Sequence, residues 1–317
     1  MLILSSVSLN DELTKKMKKE FPDYLYEKKL SNIDKKTLEK VKVYITYGED
    51  ITEALLNKMT SLEMIHVMQS GINAIPFQEL YNRNIILTNS RGINAINIAE
   101  YTMSMMLNIV RKNYVFYENQ KNKKWNETTT IDELASKKLG ILGMGAVGTE
   151  LAKRAKSFDM LVYATKNQFI SEIENVDKVI PKEDSNTIFK ECDFVVCLLP
   201  LTSTTVNFIN EDRISLMKNN SYLINISRGE IIETQALKKA LSSDKIGGAV
   251  LDVFDNEPLT GDSDEYNFKN TIITPHIAGD RFPKYKYRAF EILINNLLVL
   301  KEKKGDFINE IDMDRKY

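Results

Sequence analysis

The chain has 317 residues, 43% hydrophobic and 27% charged, with a formal net charge of -1. That length suggests two domains, and the mix is an ordinary globular one that can bury a sizeable core. The balanced charge excludes a strongly basic nucleic-acid or acidic-membrane binder, no apolar run reaches the ~18 residues of a membrane span, and two cysteines cannot build a disulfide framework.

The opening "MLILSSVS" lacks the basic start of a signal peptide and reads as a first strand. Lys-rich "DELTKKMKKEF" reads as a helix. "VKVYITYG" then precedes "ITEALLNKM", "LEMIHVMQSG" precedes "IPFQELYNR", and "IILTNS" follows. Strand and helix in alternation argue for a parallel α/β sheet. "NIAEYTMSMMLNIVRKNYVFYENQ" is one long helical stretch without Gly or Pro. Its Met and aromatic residues lie on more than one face, which fits either a core helix or one that packs on a second subunit.

A second series begins at Leu139. "LGILG" and "MLVYAT" are its first strands, and "DFVVCLLP", "SYLINIS", "GGAVLDVF" and "NTIITPHI" read as four more. No charge interrupts their apolar cores, as for strands covered on both faces. Cys192 and Cys197 flank one of them and read as reduced core residues, which suits the cytoplasm. The final "KYKYRAFEILINNLLVLKEKKG" is helical and returns to the first domain. The expected fold class is α/β, two Rossmann-like domains with doubly wound parallel sheets. A nucleotide domain (101–283) is inserted into a split substrate domain (1–100 and 284–317).

Gly143, Gly145 and Gly148 form G-x-G-x-x-G between an apolar run and good helix formers. Alone the spacing is weak; this context is the one a dinucleotide loop needs. The first Gly permits the tight turn, the second lets a pyrophosphate approach the backbone, and the third lets helix and strand pack closely. The helix start offers free N–H groups and a positive dipole to phosphate. The competing reading is a merely structural strand–helix turn. About 20 residues further on, such a unit usually places an acid for the adenosine ribose. Here the next apolar run ends in Thr165, Lys166 and Asn167.

Three later segments each sit at an expected strand end: "NISRGEII", "LDVFDNEP" and "TPHIAG". They bring Arg228, Glu257 and His276 around one crevice. Reducing a keto acid needs a hydride for the carbonyl carbon and a proton for its oxygen. Histidine is the natural proton source near neutral pH. A carboxylate beside a histidine favours imidazolium and fixes the ring. An arginine fork can grip a substrate carboxylate in two places and polarise the carbonyl. His276 is therefore expected as acid/base, Glu257 as its partner and Arg228 as substrate anchor. The plainer readings are an ion-paired turn residue for Arg228 and a solvated loop acid for Glu257. The other histidine, His66 in "EMIHVMQ", reads as a packed strand residue.

These motifs, with "GMGAVG", "CDFVVCLLPLTSTT", "MQSGIN" and "TNSRGINAINIAEYTMSMML", follow one another at a spacing that resembles the D-isomer-specific 2-hydroxyacid dehydrogenase family over nearly the whole chain. The resemblance implies two domains around a cleft and supports the roles of Arg228, Glu257 and His276. It implies that backbone groups around Ser70 and Gly71 hold the substrate carboxylate. It matches Ala146, Val147, Leu199, Pro200, Thr205, Ile226 and Asp252 to cofactor contacts, with Asp252 facing the nicotinamide carboxamide. It moves the long helical stretch toward a homodimer interface. It also sets Lys166 where NAD-specific members have Asp. Thr165, Lys166 and Asn167 can all donate to phosphate oxygens, which favours NADP(H). NAD(H) is the alternative if Lys166 is a solvated strand-end lysine. Asn73 departs from a frequent Asp, and "HIAGDRFPKYKYRA" from a glycine- and threonine-rich version.

The expected activity is hydride transfer between a nicotinamide cofactor and a small 2-keto/2-hydroxy acid, in the reductive direction. The alternative is a nucleotide-sensing, corepressor-like binding protein on the same fold. No metal site, nucleic-acid partner or membrane partner is expected.

Overall fold

The computed structural model describes residues 1–72, 75–166, 170–279 and 284–312. The chain divides into two compact units, Met1–Ile93 with Phe282–Tyr317, and Asn94–Arg281.

The first unit runs β1 (Leu2–Ser5), α1 (Asp11–Glu20), β2 (Tyr24–Tyr26), α2 (Lys35–Glu39), β3 (Val41–Thr46), α3 (Glu53–Leu56), β4 (Met64–Val67), α4 (Phe77–Asn82) and β5 (Ile86–Asn89). Its sheet is parallel, in the order β2-β1-β3-β4-β5. Asn10 caps α1 by accepting the Leu13 N–H, and satisfies one of the orphan donors of that helix start. Leu13 and Met17 turn inward and share a core with Ile3, Val43 and Met64. The last helix, Tyr285–Glu302, belongs to this unit: Ala289, Phe290, Leu293 and Leu297 complete the same core.

The second unit opens with two helices, α5 (Ala95–Arg111) and α6 (Asn113–Lys121), and continues β6 (Lys138–Leu142), α7 (Ala146–Lys156), β7 (Leu161–Lys166), β8 (Lys178–Pro181), α8 (Asn186–Glu191), β9 (Phe194–Cys197), α9 (Glu211–Leu216), β10 (Tyr222–Asn225), α10 (Thr234–Ser242), β11 (Gly248–Leu251) and β12 (Thr271–Ile273). All pairs in its seven-stranded sheet are parallel, in the order β12-β11-β10-β9-β6-β7-β8. The winding reverses between β6 and β9, the place where such sheets open a crevice at their carboxyl ends.

Both faces of this sheet are covered, which explains its uninterrupted apolar runs. Val196, Ile224 and Val250 pack on one side with residues of α5 and α7; Val195, Leu223 and Ala249 pack on the other with residues of α8, α9 and α10. Burying a Val or Leu side chain fully contributes about 1.5–3 kcal/mol, so a charge on any of these strands would be costly.

The long helical stretch is two helices, not one. Lys112 adopts φ 55°, in the left-handed region, and ends α5. No Gly marks the break, and a Lys there costs about 1–2 kcal/mol of local strain. Strands β2 and β8 were not legible as strands. Both are short edge strands, and "YLY" and "KVIP" carry too little apolar pattern. Both cysteines are free and buried, and burial pushes each thiol up to about 12. Among the described residues no helix is long and apolar enough to cross a membrane.

Candidate active site

The glycine loop joins β6 to α7. Gly143 has φ 103°, and a Cβ there would lie 2.9 Å from the Leu198 carbonyl oxygen. A Cβ on Gly148 would lie 2.9 Å from the Gly143 oxygen, whereas one on Gly145 would meet nothing within 4 Å. The two outer glycines thus hold the turn together, and the middle one leaves an open face. Gly145 is also the N-cap of α7 and supplies no side-chain cap, so the helix start beside Ala146 and Val147 keeps donors for an anion. These residues fit a dinucleotide pyrophosphate.

Thr165 and Lys166 end β7. Thr165 is buried, and its hydroxyl accepts the Gly143 N–H. Through this bond it supports the loop. Lys166 is half-exposed and makes no ion pair with any described residue. Asn167 and Asn73 lie outside the described residues.

The loop after β9 carries Leu199 and Pro200. The Thr205 hydroxyl donates to the Pro200 oxygen at 2.6 Å and accepts the Thr202 N–H at 2.7 Å. The Thr205 hydroxyl thus shapes this loop. The Leu199 carbonyl accepts from the Ser227 hydroxyl, which ties this loop to the one after β10.

That next loop begins with Ile226 and presents Arg228. Buried Asn225 brackets it by donating to the Arg228 carbonyl at 2.9 Å and accepting the Ser227 N–H at 3.2 Å. Gly229 follows, and a Cβ there would lie 2.0 Å from the Phe254 carbonyl carbon. Only glycine lets the β10 and β11 loops meet so closely. The Arg228 guanidinium is exposed, with one N–H on the Ser227 carbonyl at 2.7 Å. Among the described residues no carboxylate pairs with it.

Glu257 and His276 come together across the ends of β11 and β12. Glu257 accepts the Phe254 N–H with one oxygen at 2.9 Å, and its other oxygen lies 2.7 Å from His276 Nδ1. A carboxylate only accepts, so Nδ1 carries a proton toward Glu257 and Nε2 is the nitrogen left to exchange a proton with substrate. His276 takes φ 51°, and its N–H donates to the Asp252 carbonyl at 2.8 Å. The Asp252 side chain is buried and accepts from Thr274 Oγ1 (2.6 Å), the Ile277 N–H (2.9 Å) and the Ala278 N–H (2.9 Å). Through these bonds the Asp252 carboxylate holds the His276 segment. Thr274, Tyr101 and Asn97 were missed as supports of this segment. The polar i,i+4 pair Asn97 and Tyr101 in an apolar helix is the signal that could have found them.

In the other unit, Ser70 follows β4, and its carbonyl accepts from the Asn89 side chain at 2.8 Å. A Cβ on Gly71 would meet nothing within 4 Å. His66 is a packed strand residue. Its nitrogens face Thr88 Oγ1 (2.8 Å) and Ser90 Oγ (3.2 Å), and burial pushes it down to about 3. Among the described residues no cluster of three His, Cys, Asp or Glu is placed to hold a metal.

Residues 103–278 match the model of the D-isomer specific 2-hydroxyacid dehydrogenase NAD binding domain. The chain belongs to the D-isomer specific 2-hydroxyacid dehydrogenase family. It is similar to glyoxylate reductase of Pyrococcus furiosus, at 31% identity over 90% of this chain and 88% of the relative. Glyoxylate reductase of Thermofilum pendens is 32% identical over 80% of this chain and 76% of its own. A crystal structure of a family protein from Aeromonas salmonicida superposes with a TM-score of 0.82 at 27% identity, covering 99% of this chain and 98% of that one. As a member of this family, the protein is an oxidoreductase of 2-hydroxy acids with a nicotinamide dinucleotide domain. The nucleotide-sensing, corepressor-like alternative finds no support in these relatives.

Proposed function

We propose that the protein reduces a small 2-keto acid of the glyoxylate, hydroxypyruvate or pyruvate class to its D-2-hydroxy acid, with NADPH as the working cofactor. The observation that carries this reading is the His276 Nδ1–Glu257 contact of 2.7 Å, made past the carboxyl ends of the same parallel sheet whose strands lead into the open glycine loop and into Arg228, which pairs with no carboxylate among the described residues. The nicotinamide, when bound, supplies the hydride. His276 gives a proton from Nε2 to the oxygen that becomes the hydroxyl. Glu257 holds the ring so that Nε2 is the nitrogen turned to substrate. Arg228 grips the substrate carboxylate and draws charge from the carbonyl. The unit built around Met1–Ile93 serves as the substrate domain. A reducing, cytoplasmic setting suits its two free thiols.

Lys166 supports the cofactor preference. An ammonium at the end of β7 attracts a 2'-phosphate, where an acid would repel it. The expected result is higher kcat/KM with NADPH than with NADH, and a shift toward NADH in Lys166→Asp. A wild type that prefers NADH by tenfold or more, about 1.4 kcal/mol, would overturn this preference.

Homodimer formation is supported by α6, which buries none of its residues. Tyr114, Phe116 and Tyr117 are exposed there, and Trp125 beyond it is 89% exposed. Leaving such large rings in water is unfavourable, and rings of this kind are what a partner subunit covers. Sedimentation at micromolar concentration should give a dimer; monomer alone would reject it.

A further inference from the structure

We propose that Tyr101 is a positioning residue for the reaction. It acts through Thr274 on the Asp252 carboxylate, and so on the segment that carries His276. The proposal rests on the acid/base reading of His276.

The Tyr101 hydroxyl lies 2.6 Å from Thr274 Oγ1, and Thr274 Oγ1 lies 2.6 Å from Asp252 Oδ1. The chemistry fixes the direction of this chain. A carboxylate can only accept, so the Thr274 proton points at Asp252. The Thr274 oxygen is then left to accept from Tyr101. Burial pushes the Tyr101 phenol up to about 12, so it remains a donor at any working pH. At the far end, the same carboxylate accepts the Ile277 and Ala278 N–H groups. The relay thus spans His276 on both sides.

A second link comes from the same helix face. Asn97, one turn before Tyr101, donates to the Ala278 carbonyl at 3.1 Å. Helix α5 grips the catalytic segment before His276 through Thr274 and after it through Ala278. The backbone explains the need for this grip. At φ 51° His276 sits in the left-handed region, and a side chain other than glycine persists there only where its surroundings over-determine it. Its main-chain N–H also donates to the Asp252 carbonyl, so a shift of Asp252 moves the ring directly. The Tyr101 ring packs in the apolar core, and its hydroxyl is the part that reaches the active-site segment.

The test uses the full-length protein and the variants Tyr101→Phe, Thr274→Val, Thr274→Ser and the double Tyr101→Phe/Thr274→Val. Loss of one buried hydrogen bond predicts a fall of about 3- to 10-fold in kcat for Tyr101→Phe. The Kd for the dinucleotide should stay unchanged. The double variant should be no slower than Thr274→Val, because the relay is already cut, and Thr274→Ser should restore most of the rate. An unchanged kcat in Tyr101→Phe, or losses that multiply in the double variant, would overturn the proposal. Amide exchange at Ile277 and Ala278 separates it from the reading it rests on. If His276→Gln keeps its turnover, the acid/base reading fails, while faster exchange in Tyr101→Phe would still uphold the relay.

Discussion

His276→Gln is expected to lose about 10²–10⁴-fold in kcat, the usual contribution of a positioned general acid/base. Glutamine offers an amide N–H that can replace the Nδ1 donor toward Glu257, so the β11 and β12 loops keep their link. It cannot release a proton to substrate at working pH, and that isolates the chemical role. Dinucleotide binding should persist, because the glycine loop is built by β6 and α7 and owes nothing to the β12 end. The other histidine cannot substitute. His66 is buried among Thr88 and Ser90 and lies down at about 3, so it stays neutral at the pH of assay. Steady-state kcat at saturating cofactor, with a dinucleotide titration beside it, checks the prediction. Near-normal turnover would remove His276 from the chemistry.

What could be read from the amino-acid sequence follows from what is local. Strands β6, β7, β9, β10 and β11 announce themselves because a sheet covered on both faces rejects charge along its whole length. The glycine loop is legible because its three roles fall within six residues. The Arg, Glu and His are legible because each lies in the loop that follows a strand of the same parallel sheet. Edge strands β2 and β8 are not, since water on one side relaxes the demand for apolar residues. The break at Lys112 is hidden because a lysine takes a conformation that glycine usually marks. Long-range partners are hidden most of all. Tyr101 and Thr274 are 173 positions apart, and nothing in either segment names the other. Asp252 was matched to a cofactor contact by the family resemblance, and Thr165 because its hydroxyl can donate to a phosphate oxygen. The structure uses the Thr165 hydroxyl and three hydrogen bonds to Asp252 to hold the loops that such contacts would come from.

Arg228→Lys should cost more than a charge count suggests. The substitution keeps one positive charge and loses the planar fork that can hold two carboxylate oxygens at once. A charge-assisted hydrogen bond contributes about 1.5–3 kcal/mol, so kcat/KM for a 2-keto acid should fall about 10- to 100-fold. The loss should be shared between parameters. KM rises because the substrate carboxylate is gripped less well, and kcat falls because the carbonyl is polarised less as charge grows on its oxygen. Stability should barely change. The guanidinium is exposed, and its recorded contact is to the carbonyl of the preceding residue, Ser227. The loop is held by other groups: Asn225 brackets its backbone, Ser227 ties it to Leu199, and Gly229 seats it against Phe254. A lysine at 228 therefore stands in an undisturbed loop, and what is lost is the fork itself. Steady-state kinetics and thermal unfolding of the same preparation check both halves. An unchanged kcat/KM would take Arg228 out of the site, and a large fall in Tm would mean that the arginine holds the loop instead of the substrate.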